Sequence, residues 1–210
     1  MVEEKQKILD MVITYGLFIG FFIFLVLGIL ALDADPDFIA DKFFGAALCL
    51  FLSIFHKRIG FKWYSIFAIL VLLLMHHTKL YGNVYYGIQF DMIIHFVGGF
   101  CIAVAGFQIL SNCEGIGCSN VFKIMFFTIF VTAGIGAMLE IIEYFAYANL
   151  PPGEGLLHYG TGDAGEWLDS TGDMVCNFLG AITASTLMAF VYRRKKNLHH
   201  LKMFIVGSRR

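Results

Sequence analysis

Residues 165–181 read GEWLDSTGDMVCNFLGA and join a polar, glycine-rich stretch to an apolar segment that runs to Tyr192. Asp169, Asp173 and Asn177 are spaced four residues apart. In a helix they lie on one face, with about 6 Å between neighbouring Cβ atoms. Ionisable and amide side chains are expensive at membrane depth and are rarely kept there without a use. The stretch therefore predicts a helix that enters a membrane and carries part of a functional site.

The composition is that of an integral membrane protein. Of the 210 residues, 59% are hydrophobic and only 15% are charged, and the mean hydropathy is +0.75. Soluble domains are about half apolar and a quarter charged. We expect a single all-α membrane domain over residues 1–210, surrounded by the lipid bilayer and without a nucleic-acid partner. A cleavable signal peptide is not expected, because an acidic loop follows the first apolar run.

Apolar runs of the length that crosses a bilayer, about 20 residues, recur along the chain. They predict a polytopic bundle of six transmembrane helices at approximately 8–32, 38–55, 63–78, 88–110, 121–147 and 172–192. Residues 193–210 follow as a basic tail.

The positive charges predict how this bundle is oriented. Of the 15 Lys and Arg residues, only Lys42 and Lys79 fall in connections on the side opposite the termini. Cytoplasmic segments carry the excess of Lys and Arg in membrane proteins. Both termini are therefore expected in the cytoplasm, in a multi-pass protein of the plasma membrane.

Two further predicted helices carry polar residues near the same, outer side. Asp91 and His95 lie in the first turns of the fourth helix, and Glu140 and Glu143 lie in the last third of the fifth. Because the fourth and sixth helices run inward and the fifth runs outward, these residues should meet those of 165–181 at one depth. Small residues beside them favour close helix approach. These are Gly98, Gly99, Ala103, Gly134, Gly136, Ala137, Gly180, Ala181 and Ala184.

Carboxylates gathered in a low dielectric cannot all carry charge, so either a cation compensates them or some of them hold protons. A divalent metal is the expected cofactor, and Mg²⁺ or Mn²⁺ is favoured over Zn²⁺ or iron because oxygen donors predominate. The predicted metal ligands are Asp91, His95, Glu140, Asp173 and Asn177, and the predicted catalytic bases are Glu143 and Asp169. Additional candidate nitrogen ligands are His76, His77 and His158.

Most of these residues also have a purely structural interpretation. The helix dipole favours a carboxylate at a helix start, which accounts for Asp91. Asp169 is a candidate helix N-cap. His95 and Asn177 are able to hydrogen-bond between helices as structural contacts. Asp173 is the hardest to explain in this way, because it begins an apolar run.

Three segments carry a resemblance to a known family: DMIIHFVGG (91–99), EIIE (140–143) and DSTGDMVCNFLG (169–180). With these segments, residues 80–192 resemble the YjdF-like membrane proteins and, more distantly, the VanZ-like proteins. The first resemblance implies a membrane protein without an established biochemical activity. The second implies a link to glycopeptide resistance, although VanZ-like sequences often have Gln where this chain has Glu143.

Two classes of function fit these residues. In the first, an acidic and histidine-containing pocket at the outer leaflet holds a metal that acts on a lipid-linked or envelope substrate, by hydrolysis or group transfer. The stretch 149–171 is a candidate lid. In the second, the same groups bind a proton or cation in a small transporter, or the protein is a non-enzymatic membrane partner. A transporter needs a polar path to the cytoplasm, which is sparse here and favours the first class. The residues that such a path would use are Gln108, Thr128, Thr132, Thr183, Ser185 and Thr186.

Overall fold

The structure of the chain is a computed structural model that describes residues 2–34, 39–76, 80, 83–112, 120–149 and 165–207. Over these residues the fold consists of α-helices and one short β-hairpin. In chain order the elements are α1 (Val2–Ala34), α2 (Ile39–Ile59), α3 (Trp63–His76), β1 (Val84–Tyr85), β2 (Ile88–Gln89), α4 (Phe90–Asn112), α5 (Val121–Asn149) and α6 (Gly165–Gly207). The all-α fold class is confirmed.

Helix α6 is longer than the predicted membrane segment 172–192. It begins at Gly165 and continues to Gly207. Asp169, which lies before the predicted membrane segment and for which an N-cap or a loop position was also considered, is therefore inside the helix. No proline occurs between these two ends to interrupt the backbone hydrogen bonds. The described part of the basic tail is thus a direct extension of the same helix.

A hairpin stands where the sequence predicted a loop and the beginning of the fourth helix at residue 88. Val84 pairs with Gln89 and Tyr85 with Ile88, so α4 begins only at residue 90. The turn residues Tyr86 and Gly87 have φ values of 54° and 82°. Positive φ at both central residues is what a two-residue type I′ turn requires. The sequence analysis missed this hairpin because its strands are only two residues long.

Four of the described helices are long and apolar enough to cross a membrane. Their spans are Lys7–Leu32, Phe90–Asn112, Val121–Phe145 and Asp169–Arg194. The apolar part of α3, Trp63–Met75, is shorter. Helix α2 ends in His56, Lys57 and Arg58. That α2 and α3 also span the membrane stays a prediction.

Helices α4, α5 and α6 pack against one another and form a three-helix bundle. Helix α1 packs on α2, and α3 packs on the bundle through α4. The interface of α4 with α6 is built from small side chains that bring the two backbones close together. Its buried members are Ala103, Val104, Ala181 and Ala184.

Glycines bring the bundle helices into backbone contact near the predicted site. A Cβ atom on Gly99 would collide with the carbonyl oxygen of Asn177, and one on Gly180 would collide with the carbonyl oxygen of Phe96. A Cβ on Gly136 would lie 2.9 Å from Nδ2 of Asn177. The close approach expected from small residues is therefore found at these three glycines. It is not found at Gly134, where a Cβ would meet nothing within 4 Å.

Gln108, near the C-terminal end of α4, binds the connection between α2 and α3. Its side chain is 2% exposed. Oε1 accepts a hydrogen bond of 3.0 Å from the backbone N–H of Lys62 and another from the Ser65 hydroxyl, and Nε2 donates to the carbonyl of Gly60. A buried amide with these partners satisfies the polar backbone groups at the start of α3.

We predict that Gly99→Ala and Gly180→Ala destabilise the protein, whereas Gly134→Ala does not. Each of the first two methyl groups meets a backbone oxygen that moves only if the helices separate. Overpacking of this kind costs about 1–3 kcal/mol. Thermal unfolding in detergent should show a lower midpoint for both variants. An unchanged midpoint for Gly99→Ala and Gly180→Ala would contradict the observed α4–α6 contact.

Candidate metal centre

The imidazole of His95 is the point at which α4, α5 and α6 meet. Its Nε2 lies 3.6 Å from Oδ1 of Asp91, one turn earlier in α4, and 3.7 Å from Oδ2 of Asp173 in α6. Its Nδ1 lies 3.5 Å from Oε1 of Glu140 in α5. Two carboxylates thus face one ring nitrogen and a third faces the other.

These groups are buried to different degrees. The side chains of Asp173 and Glu140 are 3% and 6% exposed, His95 is 10% exposed, and Asp91 is 22% exposed. Asp91 therefore lies on the more accessible side of the cluster. A molecule that approaches from outside the bundle would reach this side of the imidazole first.

Glu140 is the buried acid of α5 that faces the cluster. The hydroxyl of Ser170 hydrogen-bonds to its carboxylate. Oε1, the oxygen closest to His95, is buried and has no hydrogen-bond partner among the described residues. An unpaired carboxylate oxygen inside a protein is costly unless a proton or a cation compensates it.

Two triplets of side chains have ligand atoms close enough to share one ion. They are Asp91, His95 and Asp173, and His95, Glu140 and Glu143, with all ligand atoms of a triplet within 4.8 Å of one another. The nitrogen–oxygen distances of 3.5 to 3.7 Å exceed those of hydrogen bonds, which are about 2.7–3.2 Å. The three carboxylates therefore face the imidazole without hydrogen-bonding to it.

Asn177 contacts the imidazole and not the Asp91 side of the cluster. Its Nδ2 lies 3.0 Å from Nδ1 of His95, and its side chain is held between Gly98 and Gly136. Since an amide has a donor and an acceptor end, Asn177 is able to bind either tautomer of the ring. Its predicted role as a metal ligand is not tested, but its observed position is that of a residue that orients His95.

The two predicted catalytic bases lie at the edge of this arrangement. Glu143 shares the second triplet with His95 and Glu140. Asp169 is half-buried one turn before Asp173 in α6, near enough for its charge to act on Glu140. The three helices therefore bring together all seven residues that the sequence nominated.

Other candidates fall where the structure gives no side-chain description. His77, His158 and most of the proposed lid 149–171 lie outside the described residues, and only the backbone of His76 is described. Sequence reasoning overlooked Ser170, the partner of Glu140.

The apolar spans and the buried polar cluster define this chain as a helical membrane protein. It belongs to the family described as Predicted membrane protein (DUF2238), whose family model matches residues 13–194. That match includes the whole His95 cluster. No curated protein and no solved structure matches the chain.

We predict that Asn177→Ala weakens the fold and releases the His95 ring. The substitution removes the amide from Nδ1 and leaves a buried polar atom without this partner, at a cost of about 1–3 kcal/mol. Thermal unfolding in detergent measures the loss of stability, and ¹⁵N NMR of the histidine side chains reports the tautomer of His95.

The matched control is Thr183→Ala, which removes an exposed hydroxyl from the same helix. This hydroxyl donates only to the carbonyl of Leu179 in its own helix. The control should leave the His95 spectrum unchanged. If Asn177→Ala gave the control's stability and spectrum, the orienting role of Asn177 would be wrong.

Proposed function

We propose that this protein binds one divalent metal ion beside Nε2 of His95 and uses it to act on a lipid-linked or envelope substrate, by hydrolysis or group transfer. Asp91 and Asp173 would complete the protein ligand set. The observation that supports this most strongly is the position of both carboxylates within 3.7 Å of the same imidazole nitrogen, in a largely buried setting.

The electrostatics of the three helices support a bound cation. The acids of the cluster are Asp91, Glu140, Glu143, Asp169 and Asp173. The nearest Lys or Arg of α5 and of α6 are Lys123 and Arg193, at the opposite ends of the apolar spans of those helices, and α4 has none. Neutralisation by a divalent ion would remove the repulsion among these acids. Mg²⁺ and Mn²⁺ remain the favoured ions, ahead of Zn²⁺ and iron, since oxygen donors predominate.

The second nitrogen of His95 supports the choice of Nε2 as the metal-binding atom. Histidine ligands usually have their other nitrogen held by a carboxylate or carbonyl group, which fixes the ring. Glu140 stands at Nδ1 in that position, with its Oε1 at 3.5 Å. The Nδ2 of Asn177 also faces Nδ1. Because an NH2 group only donates, a metal on Nε2 requires this amide to turn so that its oxygen accepts from Nδ1–H. We therefore assign Glu140 and Asn177 to holding the ring, and this refines their predicted role as direct ligands.

The chemistry of such a site would be divided between the ion and the protein. A bound metal polarises a phosphoryl or carbonyl oxygen or activates a water molecule. Glu143 or Asp169 would accept the proton of the attacking nucleophile. The partly exposed Asp91 side would admit the substrate, which would arrive in the bilayer.

The proposed orientation is that both termini are cytoplasmic and the cluster faces the extracytoplasmic side of the plasma membrane. Lys62 contacts Gln108, which follows His95 by 13 residues in α4, or about 20 Å along the helix. The basic residues Lys57, Arg58 and Lys62 thus stand at the end of α4 away from the acids. This separation of charge agrees with the positive-inside rule.

The resemblance to the YjdF-like proteins agrees with the DUF2238 membership, whereas the link to VanZ-like proteins stays a prediction. The transporter alternative also keeps one specific support. Four of its six path residues are buried inside the bundle, namely Gln108, Thr128, Thr132 and Ser185.

We expect purified wild-type protein to contain close to one divalent ion per chain after loading with Mn²⁺, Mg²⁺, Zn²⁺ or iron. His95→Ala and Asp173→Asn should lose this ion because each removes one ligand of a three-ligand set. Elemental analysis after removal of free metal measures the content. Asp10→Asn, an aspartate substitution in α1, is the control and should retain the ion.

Folded wild-type protein that binds none of these ions would rule out the metalloenzyme and leave the proton-binding or structural account. If the ion is found, hydrolysis of lipid-linked phosphates in mixed micelles can be screened. Glu143→Gln and Asp169→Asn should both retain the ion, and the variant that loses turnover identifies the acid that serves as the base.

The second prediction is that the effect of Asp173→Asn on thermal stability changes sign between metal-free and metal-loaded protein. In chelator, Asp173→Asn should unfold at the same temperature as wild type or higher, since it removes one of several buried acids that repel one another. With Mn²⁺ at a hundred times its dissociation constant, wild type should gain about 2.7 kcal/mol. The variant should gain little. Thermal unfolding in detergent decides this, and equal stabilisation of both proteins would place the ion elsewhere.

A further inference from the structure

Two hydroxyl groups inside the α4–α5–α6 bundle differ from their neighbours in hydrogen bonding. Thr132 of α5 is 1% exposed and Ser185 of α6 is 0% exposed, and neither hydroxyl has a hydrogen-bond partner among the described residues. Thr128 and Thr183 donate at 2.8 Å to carbonyls of their own helices, at Ile124 and Leu179. Buried polar groups are nearly always paired, so Thr132 and Ser185 call for a partner.

The helix contacts define the depth of each hydroxyl, that is, its position along the axis of the bundle. Gly136 of α5 faces Asn177 of α6, and about three turns away Ile124 packs with Ala189. Because α5 and α6 are antiparallel, Thr128 and Ser185 lie at one level between these contacts. Gly106 of α4 lies there too, since a Cβ on it would be 3.7 Å from Cγ2 of Thr128.

The same register places Thr132 one turn from the level of Asn177, on the way to Ser185. In α5 the buried positions 140, 136, 132 and 128 recur every fourth residue, so Thr132 stays on the interior face. Each step of four residues is about 6 Å along the axis. Thr132 is therefore about 6 Å from the level of Asn177, and Ser185 is about 6 Å beyond Thr132.

Gln108 lies beyond this series but on another face of α4. From Gly106 to Gln108 the helix advances about 3 Å and turns by about 200°. The side chain of Gln108 contacts Gly60, Lys62 and Ser65, at the α2–α3 connection and the start of α3. The series inside the bundle is therefore Asn177, Thr132 and Ser185, at depths about 6 Å apart. One water molecule that bridges two polar groups spans about 5.5 Å, which matches this separation in depth.

We propose that the α4–α5–α6 bundle binds a line of internal water molecules on the hydroxyls of Thr132 and Ser185, which runs inward from the depth of Asn177. Each hydroxyl supplies one donor and two acceptor sites, which suits the two to four polar partners that a buried water needs. The waters pair the two hydroxyls and extend the polar interior of the bundle from the His95 cluster to Ser185.

This line goes beyond the proposed metal chemistry and does not require it. The hydroxyls bind water whether or not the cluster holds an ion. The line also accounts for the burial of polar residues that a one-sided site does not use.

Solid-state NMR in lipid bilayers tests the proposal on the wild-type protein. Magnetisation transferred from water should reach the side chains of Thr132 and Ser185 rapidly. Thr183 is the internal control, because it is exposed on the surface of the same helix two residues from Ser185. The side chain of Thr183 should receive far less magnetisation from water. Transfer to Thr132 and Ser185 as slow as that to Thr183 would overturn the proposal.

A variant tests whether the waters form one line. Thr132→Val keeps the shape of the side chain and removes the hydroxyl, so the transfer to Ser185 should fall by severalfold. Thr183→Val should leave it unchanged. Undiminished transfer to Ser185 in Thr132→Val would contradict a continuous line. Both measurements are made in chelator and again with diamagnetic Mg²⁺, and the same outcome is expected, so their result is independent of the metal site.

Discussion

The contact of α4 with α6 at Gly99 and Gly180 is the constraint on which the candidate site depends. A side chain at either position would meet a backbone oxygen of the other helix. Without a hydrophobic driving force between helices in lipid, association rests on such close packing and on polar contacts. At this distance the imidazole of His95 in α4 reaches Asp173 of α6. Gly136 lets α5 approach the same point and brings Glu140 with it.

The cluster has a cost that packing alone does not repay. Buried carboxylates lose their hydration, and bringing several together adds repulsion. Structural roles explain single members: a helix start suits Asp91, and Asn177 bonds to His95 across the helix interface. They do not explain why Oε1 of Glu140 is buried without a hydrogen bond among the described residues. A cation on Nε2 of His95, between Asp91 and Asp173, offsets the repulsion among the acids, and its charge lets the ring hold a proton on Nδ1 for Glu140. For this reason we favour a metal centre over a purely structural cluster.

Much of this arrangement could be predicted because it depends on periodicity and direction. Spacings of three and four residues put Asp91 with His95 and Glu140 with Glu143, and the alternation of helix direction put the pairs at one depth. Which glycines form the close helix contacts could not be predicted, because this depends on which small residue faces the backbone of another helix. Gly99 and Gly134 look alike in sequence, yet only the first is in contact. The distinct environments of Nδ1 and Nε2 of His95, and the interior position of Thr132, likewise follow from tertiary packing.

The central claim is that a divalent ion binds Nε2 of His95, and pulsed EPR of the Mn²⁺-loaded protein tests it most directly. The account predicts coupling of the metal to the nitrogen of a single imidazole, with a changed frequency when the histidines carry ¹⁵N. The coupling should be absent in His95→Ala. A spectrum without imidazole coupling, as given by Mn²⁺ held by carboxylates or water alone, would contradict the account.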